Sequence, residues 1–579
     1  MPPAPISVSR SRKSPGEETM THYSDGGEAL LESFRALDID YIFCSSGSEW
    51  APLWEAVTRQ KISQTPGPVY LDFMHETLAV DMAIGYTLVS GRMQAVLLHA
   101  TPGLLQGANG IHGALLGDVP MLVFSSEANS YGDREGVDPG SQWYRNLSIV
   151  GGPHSVVDRI VKWSCQIPGI ETLYEFTKRA GEIAQRTPSG PVYLNCPVEV
   201  LLEPWQKPAN AKAVATPGTS YAGSSDISAL AEEINAASNP VIITESVGRQ
   251  QGGFDALIEF AEAFDAPVLE PQSATCANFP KDNPLYLGGN VDGMRGKTDL
   301  IVLVNCRSPW YPPSNTFPNA RVVVVDDVPQ RPQMVYQVLH ADRYVTGNVP
   351  HTLREAAKLA SGSPERRANV ETQHMGQRNK RLDAETAANA NVDAIDAVAL
   401  ATTLREQLPE NYRIFDETIT HARVVQQHVR PSRASSYFYV QGGLGQGVGV
   451  ALGGKLANPD TFTVLAVGDG SFLYNPIVQA LQASKQNGLP ILVVVFNNRQ
   501  YLSMKYNHLR FYPDGDSVEH KMFHGVELGD QPPLEAFAEP FGFKGIAVSD
   551  PAQLENAVKD AISSVLAGTT TILNVYVTK

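Results

Sequence analysis

The chain has 579 residues, of which 43% are hydrophobic and 18% are charged, as is usual for a globular protein. This length is too great for one hydrophobic core and predicts about two to four domains. The formal net charge of −16 argues against a nucleic-acid-binding protein, which normally carries a basic domain or stripe. No apolar run reaches the length of a transmembrane helix, so no membrane partner is expected.

Five cysteines stand far apart in the chain, at positions 44, 165, 196, 276 and 306. They form neither a CxxC pair nor a Cys/His ligand pattern, which argues against a disulfide framework and a zinc site. Reduced thiols predict a cytoplasmic protein. Residues 1–26 are rich in Pro, Ser, Arg, Lys and Glu and lack the apolar segment of a secretory signal. They are predicted to be a mobile tail.

Helices and strands are predicted to alternate through a first domain, residues 27–203. The predicted helices are 27–37, 77–90 and 104–116, and the predicted strands are 41–44, 69–74, 94–99, 120–124 and one within 188–197. Alternation of this kind predicts a parallel sheet with helices on both faces.

Two further domains of the same kind follow. A linker rich in Pro, Ala, Ser and Gly at 204–225 leads to a middle domain at 226–360, with strands at 240–244, 267–269, 299–304 and 320–326. Residues 361–392 are charged and polar and are predicted to be a partly helical linker. A third domain at 393–579 ends on a strand at 571–577. The predicted fold class is α/β, with three doubly wound parallel-sheet domains.

The most informative stretch lies in the third domain, where apolar strands at 464–467 and 491–496 both end in polar turns. In a parallel sheet both turns lie at the carboxyl edge, where ligands bind. The helix between them starts at a Gly-Asp-Gly-Ser string and can direct free backbone N–H groups at a phosphate. Asp469 and Asn498 offer oxygens from neighbouring strand ends, as a Mg²⁺ ion bridging phosphates requires. A βαβ unit with merely polar turns is the simpler interpretation of either string alone.

This paired pattern resembles the signature of thiamin-diphosphate (ThDP) enzymes. From about residue 27 onward the chain resembles the decarboxylase and acetolactate-synthase group, and its local strings are most similar to benzoylformate decarboxylase. The resemblance implies a pyrimidine-binding, a middle and a diphosphate-binding domain, in that order. It implies cofactor contacts at Gly442, Leu444, Gly468, Asp469, Gly470, Ser471, Asn498 and Tyr501, and Mg²⁺ ligands at Asp469, Asn498 and Gln500.

Glu76 ends a predicted strand and opens a helix of small residues, as the family's glutamate does. The resemblance implies that its carboxyl group binds atom N1′ of the pyrimidine ring. This bond favours the imino tautomer, whose N4′ atom takes the proton from thiazolium C2. From the residue alone, a glutamate favoured by the helix dipole is the preferred interpretation, and the paired pattern in the third domain favours the functional one.

The string Gly-Gly-Leu-Gly at 442–445 matches the family's loop below the cofactor. The resemblance implies that Leu444 wedges between the two rings of ThDP and that the Gly442 carbonyl accepts from the 4′-amino group. A glycine-rich strand–helix turn is the alternative. Residues 416–420 follow a predicted strand and are candidates to give hydroxyl groups to the diphosphate.

Substrate contacts are implied at two further strand ends. Ser48 and His99 match a pocket serine and histidine of benzoylformate decarboxylase, in which the serine holds the substrate carboxylate and the histidine shuttles protons. A turn serine and a hydrogen-bonded strand-end histidine are the alternatives. Gln142 resembles a pocket glutamine of the acetolactate-synthase branch. Trp310 and Tyr311 stand where that decarboxylase has a middle-domain histidine, and they are candidates to line the pocket.

Several departures leave the substrate open. The adjacent His-His pair of pyruvate decarboxylases is absent, and no glutamate follows Asn498 as a second acid. The middle domain lacks GxGxxG, so FAD is disfavoured, although Asp326 and Asp327 follow a strand as ribose-binding acids do in nucleotide-binding relatives.

The resemblance implies a ThDP- and Mg²⁺-dependent C–C lyase that decarboxylates a 2-oxo acid, including aromatic or bulky ones, to an aldehyde. Carboligation to 2-hydroxy ketones is an expected second activity. An acetolactate-synthase-like acyl transferase is the alternative, and a non-catalytic paralogue is a third, which the intact Glu76, Asp469 and Asn498 disfavour. Family members bring Glu76 and Asp469 together from two subunits, so a homodimer or homotetramer is expected.

Overall fold

The computed structural model describes residues 24–130, 132–133, 135, 138–209, 211–332, 334–338 and 340–578. Its strands form three parallel sheets, one in each domain. The predicted fold class is therefore confirmed. Within these ranges no helix is both long enough and apolar enough to cross a membrane, and all five cysteines are free thiols. Most of the predicted tail lies outside the described residues.

The first domain contains a six-stranded sheet in the order β2-β1-β3-β4-β6-β5. Its strands are β1 (Tyr41–Ser45), β2 (Val69–Phe73), β3 (Gln94–Leu98), β4 (Met121–Ser125), β5 (Ser164–Gln166) and β6 (Pro191–Asn195). Its helices are α1 (Gly26–Ala36), α2 (Ala51–Ser63), α3 (Glu76–Ser90), α4 (Ala100–Leu116), α5 (His154–Val157), α6 (Ile170–Gln185) and α7 (Val198–Leu202).

Strand β1 lies between β2 and β3, and all three run parallel. The segments that follow these strands therefore meet at one edge of the sheet. They carry Ser48, Glu76 and His99, so three residues far apart in sequence share one edge because of strand order.

The middle domain has a five-stranded sheet in the order β11-β10-β9-β7-β8. Its strands are β7 (Pro240–Thr244), β8 (Val268–Leu269), β9 (Leu300–Val304), β10 (Arg321–Asp326) and β11 (Arg343–Thr346), and its helices are α8 (Ser224–Ala236), α9 (Gly253–Phe264) and α10 (Val349–Ala357). The central strands β7 and β9 are buried along their whole length. Continuous apolar runs of this kind are typical of a sheet covered on both faces.

Most of the second predicted linker, residues 361–392, forms one helix, α11 (Pro364–Asn389). The segment is therefore more helical than predicted. The helix begins with a cap, because the Ser363 side chain accepts from the Arg366 backbone N–H, and Pro364 occupies its first turn. Among its described side chains only Val370, His374 and Glu385 are buried. The domain boundaries themselves stay predictions.

The third domain has a six-stranded sheet in the order β13-β12-β14-β15-β17-β16. Its strands are β12 (Tyr412–Glu417), β13 (Tyr437–Tyr439), β14 (Phe462–Gly468), β15 (Leu492–Asn497), β16 (Lys544–Val548) and β17 (Thr571–Tyr576). Its helices are α12 (Ala397–Gln407), α13 (Ala422–Val424), α14 (Gly447–Ala457), α15 (Asp469–Tyr474), α16 (Ile477–Asn487), α17 (Leu502–Phe511), α18 (Asp516–Glu519) and α19 (Leu554–Leu566). Strands β14 and β15 are direct neighbours, so the two polar turns do share one edge.

Helix α3 of the first domain packs so closely against α14 of the third domain that their backbones are in contact. A Cβ atom built on Gly85 would lie 1.9 Å from the Val450 carbonyl oxygen, and one on Gly453 would lie 2.0 Å from the Met82 carbonyl oxygen. Only glycine allows two helices to approach so closely. The contact joins the two domains into one hydrophobic core.

We expect Gly85→Ala to lower the apparent midpoint of thermal unfolding, by an effect of about 1–3 kcal/mol, because the added methyl group overlaps the α14 backbone. Differential scanning calorimetry measures it. The matched control is Gly376→Ala in α11, where a Cβ meets nothing within 4 Å and the higher helix propensity of alanine gives up to about 1 kcal/mol of stability. Equal effects of the two substitutions would contradict the proposed contact.

Candidate active site

A cavity of about 220 Å³ opens at the carboxyl edge of the third sheet. All of the implied third-domain cofactor and metal residues except Gly442 line it, namely Leu444, Gly468, Asp469, Gly470, Ser471, Asn498, Gln500 and Tyr501. The structure therefore brings together residues that the sequence places in three separate strings. Gly442 lies in the same loop as Leu444 and has a φ of +106°, a conformation that favours glycine.

Asp469 is the buried acid of this cavity, with 2% of its surface exposed. Its Oδ1 atom accepts from the Gly470 N–H at 3.0 Å, and its Oδ2 atom accepts from the Arg499 N–H at 2.7 Å and from Gln531 Nε2 at 3.1 Å. Burial raises the pKa of Asp469, and these hydrogen bonds only partly oppose the shift. A cation at this carboxyl group would restore its charged form.

Asn498 and Gln500 extend the polar wall beside this acid. Asn498 Oδ1 accepts from the Gln500 N–H at 2.9 Å, and Gln500 Nε2 donates to Glu527 at 2.5 Å. The Oε1 atom of Gln500 is buried without a hydrogen-bond partner in the described part of the chain. An acceptor left unsatisfied in this way is costly unless a ligand or ion completes it.

The cavity has a further wall at the end of β12, which sequence reasoning identified only in part. Thr418 and Thr420 line it, as the hydroxyl-bearing segment 416–420 predicts, and so does His421, which was missed. The His421 ring stacks on Phe496 with centroids 5.6 Å apart, and burial lowers the pKa of His421. Its position one residue beyond the Thr-Ile-Thr string was the available signal.

Glu417, the last residue of β12, anchors the loop that carries Leu444. Its Oε1 atom accepts from the backbone N–H groups of Gly445 and Gln446 at 2.8 and 2.9 Å, and its Oε2 atom accepts from Asn475 Nδ2 at 2.8 Å. Burial raises the pKa of Glu417 to about 7. The carboxyl group thus connects the Leu444 loop to the segment that follows α15.

A second cluster lies at the carboxyl edge of the first sheet. Glu76 begins α3, and a Cβ atom on Gly103 would lie 3.1 Å from its Oε1 atom. His99 precedes α4, and its Nδ1 atom lies 2.8 and 3.1 Å from the two carboxylate oxygens of Glu49. The hydrogen bond that His99 donates to Glu49 is the largest cause of a raised His99 pKa, and the charge of Glu76 adds to it. Glu49 was missed, although it directly follows Ser48.

Ser48 and Gln142 form a pair in this cluster. The Ser48 hydroxyl donates to Gln142 Oε1 at 2.7 Å, although the two residues are far apart in the chain. The single hydroxyl proton is therefore engaged, while the Gln142 amide N–H groups are left as donors.

The middle-domain candidates lie in a separate aromatic group. Trp310 packs on Phe317 with ring centroids 5.0 Å apart, and Tyr311, which is 67% exposed, meets Tyr336 edge-on. No hydrogen bond or ring contact within the described ranges joins them to Ser48 or His99. Their place in a substrate pocket stays a prediction.

Three models of one enzyme family match successive parts of the chain. They describe the N-terminal TPP binding domain, the central domain and the C-terminal TPP binding domain of thiamine pyrophosphate enzymes, over residues 24–144, 227–355 and 418–574. The chain belongs to the thiamine pyrophosphate enzyme family. The predicted family is confirmed, and with it an enzyme that depends on ThDP, which is another name for thiamine pyrophosphate.

Relatives of this ThDP enzyme include both branches named by the resemblance. The probable acetolactate synthase large subunit of Methanocaldococcus jannaschii is 24% identical over 566 residues, which cover 93% of this chain and 90% of the relative. The benzoylformate decarboxylase of Pseudomonas aeruginosa is 24% identical over 529 residues, which cover 86% and 90%.

Solved structures share the fold. A ThDP-dependent 4-hydroxybenzoylformate decarboxylase from Rhodococcus jostii RHA1 aligns with a TM-score of 0.78 at 22% identity, covering 96% of this chain and 99% of that one. A benzoylformate decarboxylase from Polynucleobacter necessarius aligns with a TM-score of 0.76 at 21% identity and the same coverage.

The third-domain cavity of the ThDP enzyme fits the diphosphate end of the cofactor. A Cβ atom on Gly470 would lie 2.3 Å from the Tyr501 ring, so glycine is required where this turn meets the cavity wall. The Oε1 atom of Gln500, which has no hydrogen-bond partner among the described residues, and the buried carboxyl oxygens of Asp469 are ligands of the kind that a hard cation prefers. Among the described residues no three His, Cys, Asp or Glu side chains cluster as a metal site. A cation here would therefore also use amide oxygens and the oxygens of the diphosphate.

The nucleotide candidates Asp326 and Asp327 lie beside a different cavity, of about 140 Å³, at the carboxyl edge of the middle sheet. Arg331 reaches across it to pair with Asp118 of the first domain. Burial and the neighbouring Asp326 raise the pKa of Asp327 to about 7. That the middle domain binds no FAD stays a prediction.

We expect Asp469→Ala to weaken metal-dependent ThDP binding by at least about tenfold, because a hydrogen bond or ion contact to a charged group is worth roughly 1.5–3 kcal/mol. Isothermal titration calorimetry with ThDP and MgCl₂ measures the dissociation constant. The matched control is Asp460→Ala, an exposed aspartate just before β14. Unchanged affinity in Asp469→Ala would contradict the anchoring role.

Proposed function

We propose that this ThDP enzyme is a Mg²⁺-dependent C–C lyase that decarboxylates a 2-oxo acid to an aldehyde, with carboligation to 2-hydroxy ketones as a second activity. The observation that carries the proposal is the grouping of Glu76 and a carboxylate-paired His99 at one sheet edge. A lyase of this kind needs an acid that acts on the cofactor and a separate group that delivers a proton to the product.

Residues of the third domain would hold the cofactor. Asp469, Asn498 and Gln500 would hold a Mg²⁺ ion together with the cofactor's diphosphate, and Leu444 would contact the cofactor's rings. Bound ThDP supplies a nucleophilic carbon and an electron sink for the loss of CO₂. In this role the three side chains and the ion would anchor the diphosphate, and the ion would do no chemistry on the substrate.

Residues of the first domain would handle protons. Glu76 would bind the pyrimidine ring through its carboxyl group. His99 has Nδ1 engaged with Glu49, so Nε2 is the atom that can give a proton to the reacting carbon or oxygen. The raised pKa of His99 keeps a larger fraction of the imidazole protonated near neutral pH than in an isolated histidine.

The pair of Ser48 and Gln142 would bind the substrate carboxylate. Because the Ser48 proton goes to Gln142 Oε1, the Gln142 amide N–H group is the free donor of this pair. This arrangement modifies the sequence-based expectation that Ser48 binds the carboxylate directly.

Large exposed apolar side chains support a site shared between two subunits. Met74 and Leu105 are exposed beside the Glu76 and His99 cluster, while Tyr474 and Met504 are exposed beside the third-domain cavity. Apolar surface next to two incomplete halves of a site indicates burial in an assembly. We propose a homodimer, or a homotetramer built from it, in which Glu76 of one subunit faces the cavity of the other. The five free cysteines support a cytoplasmic location.

The acetolactate-synthase-like acyl transferase is the second candidate. Gln142 favours it, because this residue resembles a glutamine of that branch and the structure places it against Ser48. A non-catalytic paralogue is disfavoured, since Glu76, Asp469 and Asn498 are all retained.

A panel of aliphatic and aromatic 2-oxo acids distinguishes these candidates. We expect CO₂ release with formation of the corresponding aldehyde from at least one of them, measured by a coupled dehydrogenase assay and by chromatography of the products. A 2-hydroxy ketone should accumulate only when an aldehyde is added in excess. Acetohydroxy acid as the main product would instead support the transferase, and a complete lack of turnover would contradict both.

We expect Glu76→Gln to retain ThDP binding but to lower kcat by about 10²–10⁴-fold, because the lost interaction acts on activation of the cofactor rather than on its affinity. Calorimetry and steady-state kinetics measure the two quantities separately. The matched control is Glu171→Gln, an exposed glutamate in the first turn of α6. Near-normal kcat in Glu76→Gln would exclude the proposed role of this glutamate.

A further inference from the structure

We propose that Glu49 is the positioning residue of His99, holding the imidazole in one orientation and one tautomer so that Nε2 is presented to the substrate. The reaction that His99 serves is taken from the proposed function, and that part of the inference rests on it. The contact between Glu49 and His99 is independent of the proposed function and can be measured without turnover.

The geometry of the pair defines the position of the ring proton. Glu49 lies in a short 3₁₀ turn, Ser48–Trp50, and its side chain is fully buried, whereas the His99 side chain is 28% exposed. Both carboxylate oxygens lie within 3.1 Å of Nδ1. Because a carboxylate only accepts, Nδ1 must carry a hydrogen. Nε2 is therefore the ring nitrogen that the contact with Glu49 leaves available.

A third hydrogen bond ties the carboxylate to the backbone that holds the ring. Glu49 Oε1 also accepts from the Ala100 N–H at 3.1 Å. Ala100 is fully buried and has a φ of +44°, in the left-handed region that alanine rarely adopts. Such a conformation persists where its surroundings hold it in place. Glu49 thus contacts both the imidazole and the strained residue that follows it.

Gly47 makes room for this arrangement. A Cβ atom at this position would lie 2.1 Å from His99 Nδ1 and 2.4 Å from both Glu49 oxygens. The φ of Gly47 is −131°, which any residue adopts, so space rather than conformation requires glycine here. The Ser-Gly-Ser-Glu string therefore forms a pocket for the imidazole in addition to presenting Ser48.

The charges around His99 indicate what Glu49 does to it. Two acids of its own chain face the ring, Glu49 from the 3₁₀ turn and Glu76 from α3, and both raise its pKa, while burial opposes them. Removing the Glu49 charge lowers the pKa of His99. The protonated fraction near neutral pH then falls, and any step that needs the imidazolium fails at a lower pH than in the wild type.

Glu49→Gln separates this role from simple support of the fold. Glutamine keeps the size of the side chain and an oxygen that can accept from Nδ1 and from the Ala100 N–H, so only the charge is lost. Glu49→Asp keeps the charge but shortens the reach. Glu55→Gln is the matched control, because Glu55 lies in the following helix α2 with its side chain 55% exposed.

The first experiment is an NMR titration of the whole enzyme labelled in its histidines, with His99→Asn used to assign the signal. We expect the His99 pKa to fall in Glu49→Gln, because the charge that raises it is removed, to be partly restored in Glu49→Asp and to be unchanged in Glu55→Gln. An unchanged His99 titration in Glu49→Gln would overturn the proposal. If circular dichroism shows that Glu49→Gln does not fold, Glu49→Asp provides the test. A positioning role then requires the His99 titration of Glu49→Asp to differ from that of the wild type.

The second experiment is the pH profile of kcat with the best substrate of the 2-oxo acid panel. We expect the alkaline limb to move to lower pH in Glu49→Gln with little change in KM. A uniform loss of kcat at every pH, with an unshifted limb, would show a merely structural role and overturn the proposal. A shifted NMR titration in a protein that turns over no 2-oxo acid would contradict the proposed function alone.

Discussion

The close contact of α3 and α14 determines where the rest of the site can lie. The two helices meet at Gly85 and Gly453, where backbone touches backbone, and no side chain could be inserted without separating the domains. Glu76 is the first residue of one helix, and the loop with Leu444 leads directly into the other. Packing of the two helix bodies thus determines where Glu76 and the Leu444 loop lie relative to each other.

The clusters at the carboxyl edges of the first and third sheets both contain buried carboxyl groups. The hydrogen bonds of these groups go mainly to backbone N–H groups or to a single side chain. Glu417 holds the Leu444 loop, Asp469 holds the turn after β14, and Glu49 holds His99. Burying such a group is unfavourable unless it is well paired. Each of them therefore occurs where a loop needs to be fixed, at the carboxyl end of a strand.

Much of this arrangement could be predicted from the sequence because strand ends coincide in parallel sheets. The turns at Asp469 and Asn498 were predicted from two apolar runs and the polar strings that follow them, whereas the small residues of α3 were noted without any prediction of the contact with α14. The resemblance to ThDP enzymes supplied Glu76 and Leu444, whose roles no local pattern defines. Their placement agrees with the fold, and their chemistry stays a prediction.

What was missed depends on contacts that only the folded chain creates. Gln531 reaches Asp469 from a distant loop, and Glu49 turns inward because Gly47 leaves space for it. Helix α11 was predicted as a linker because few of its side chains are apolar, and the folded chain instead has there a capped helix with ion pairs such as that of Arg367 with Glu371. Trp310 and Tyr311 were chosen by analogy, and their own aromatic neighbours were not visible in the sequence.

The glycine contacts between α3 and α14 also limit how this protein can change over evolutionary time. A clash between two side chains can be relieved by making one of them smaller, so such positions vary in compensating pairs. At Gly85 and Gly453 the opposing atoms are main-chain carbonyl oxygens, which every amino acid carries. No second substitution can remove them. We therefore expect these two positions to remain glycine while the surrounding core residues change. A library of engineered variants should place its substitutions at other positions.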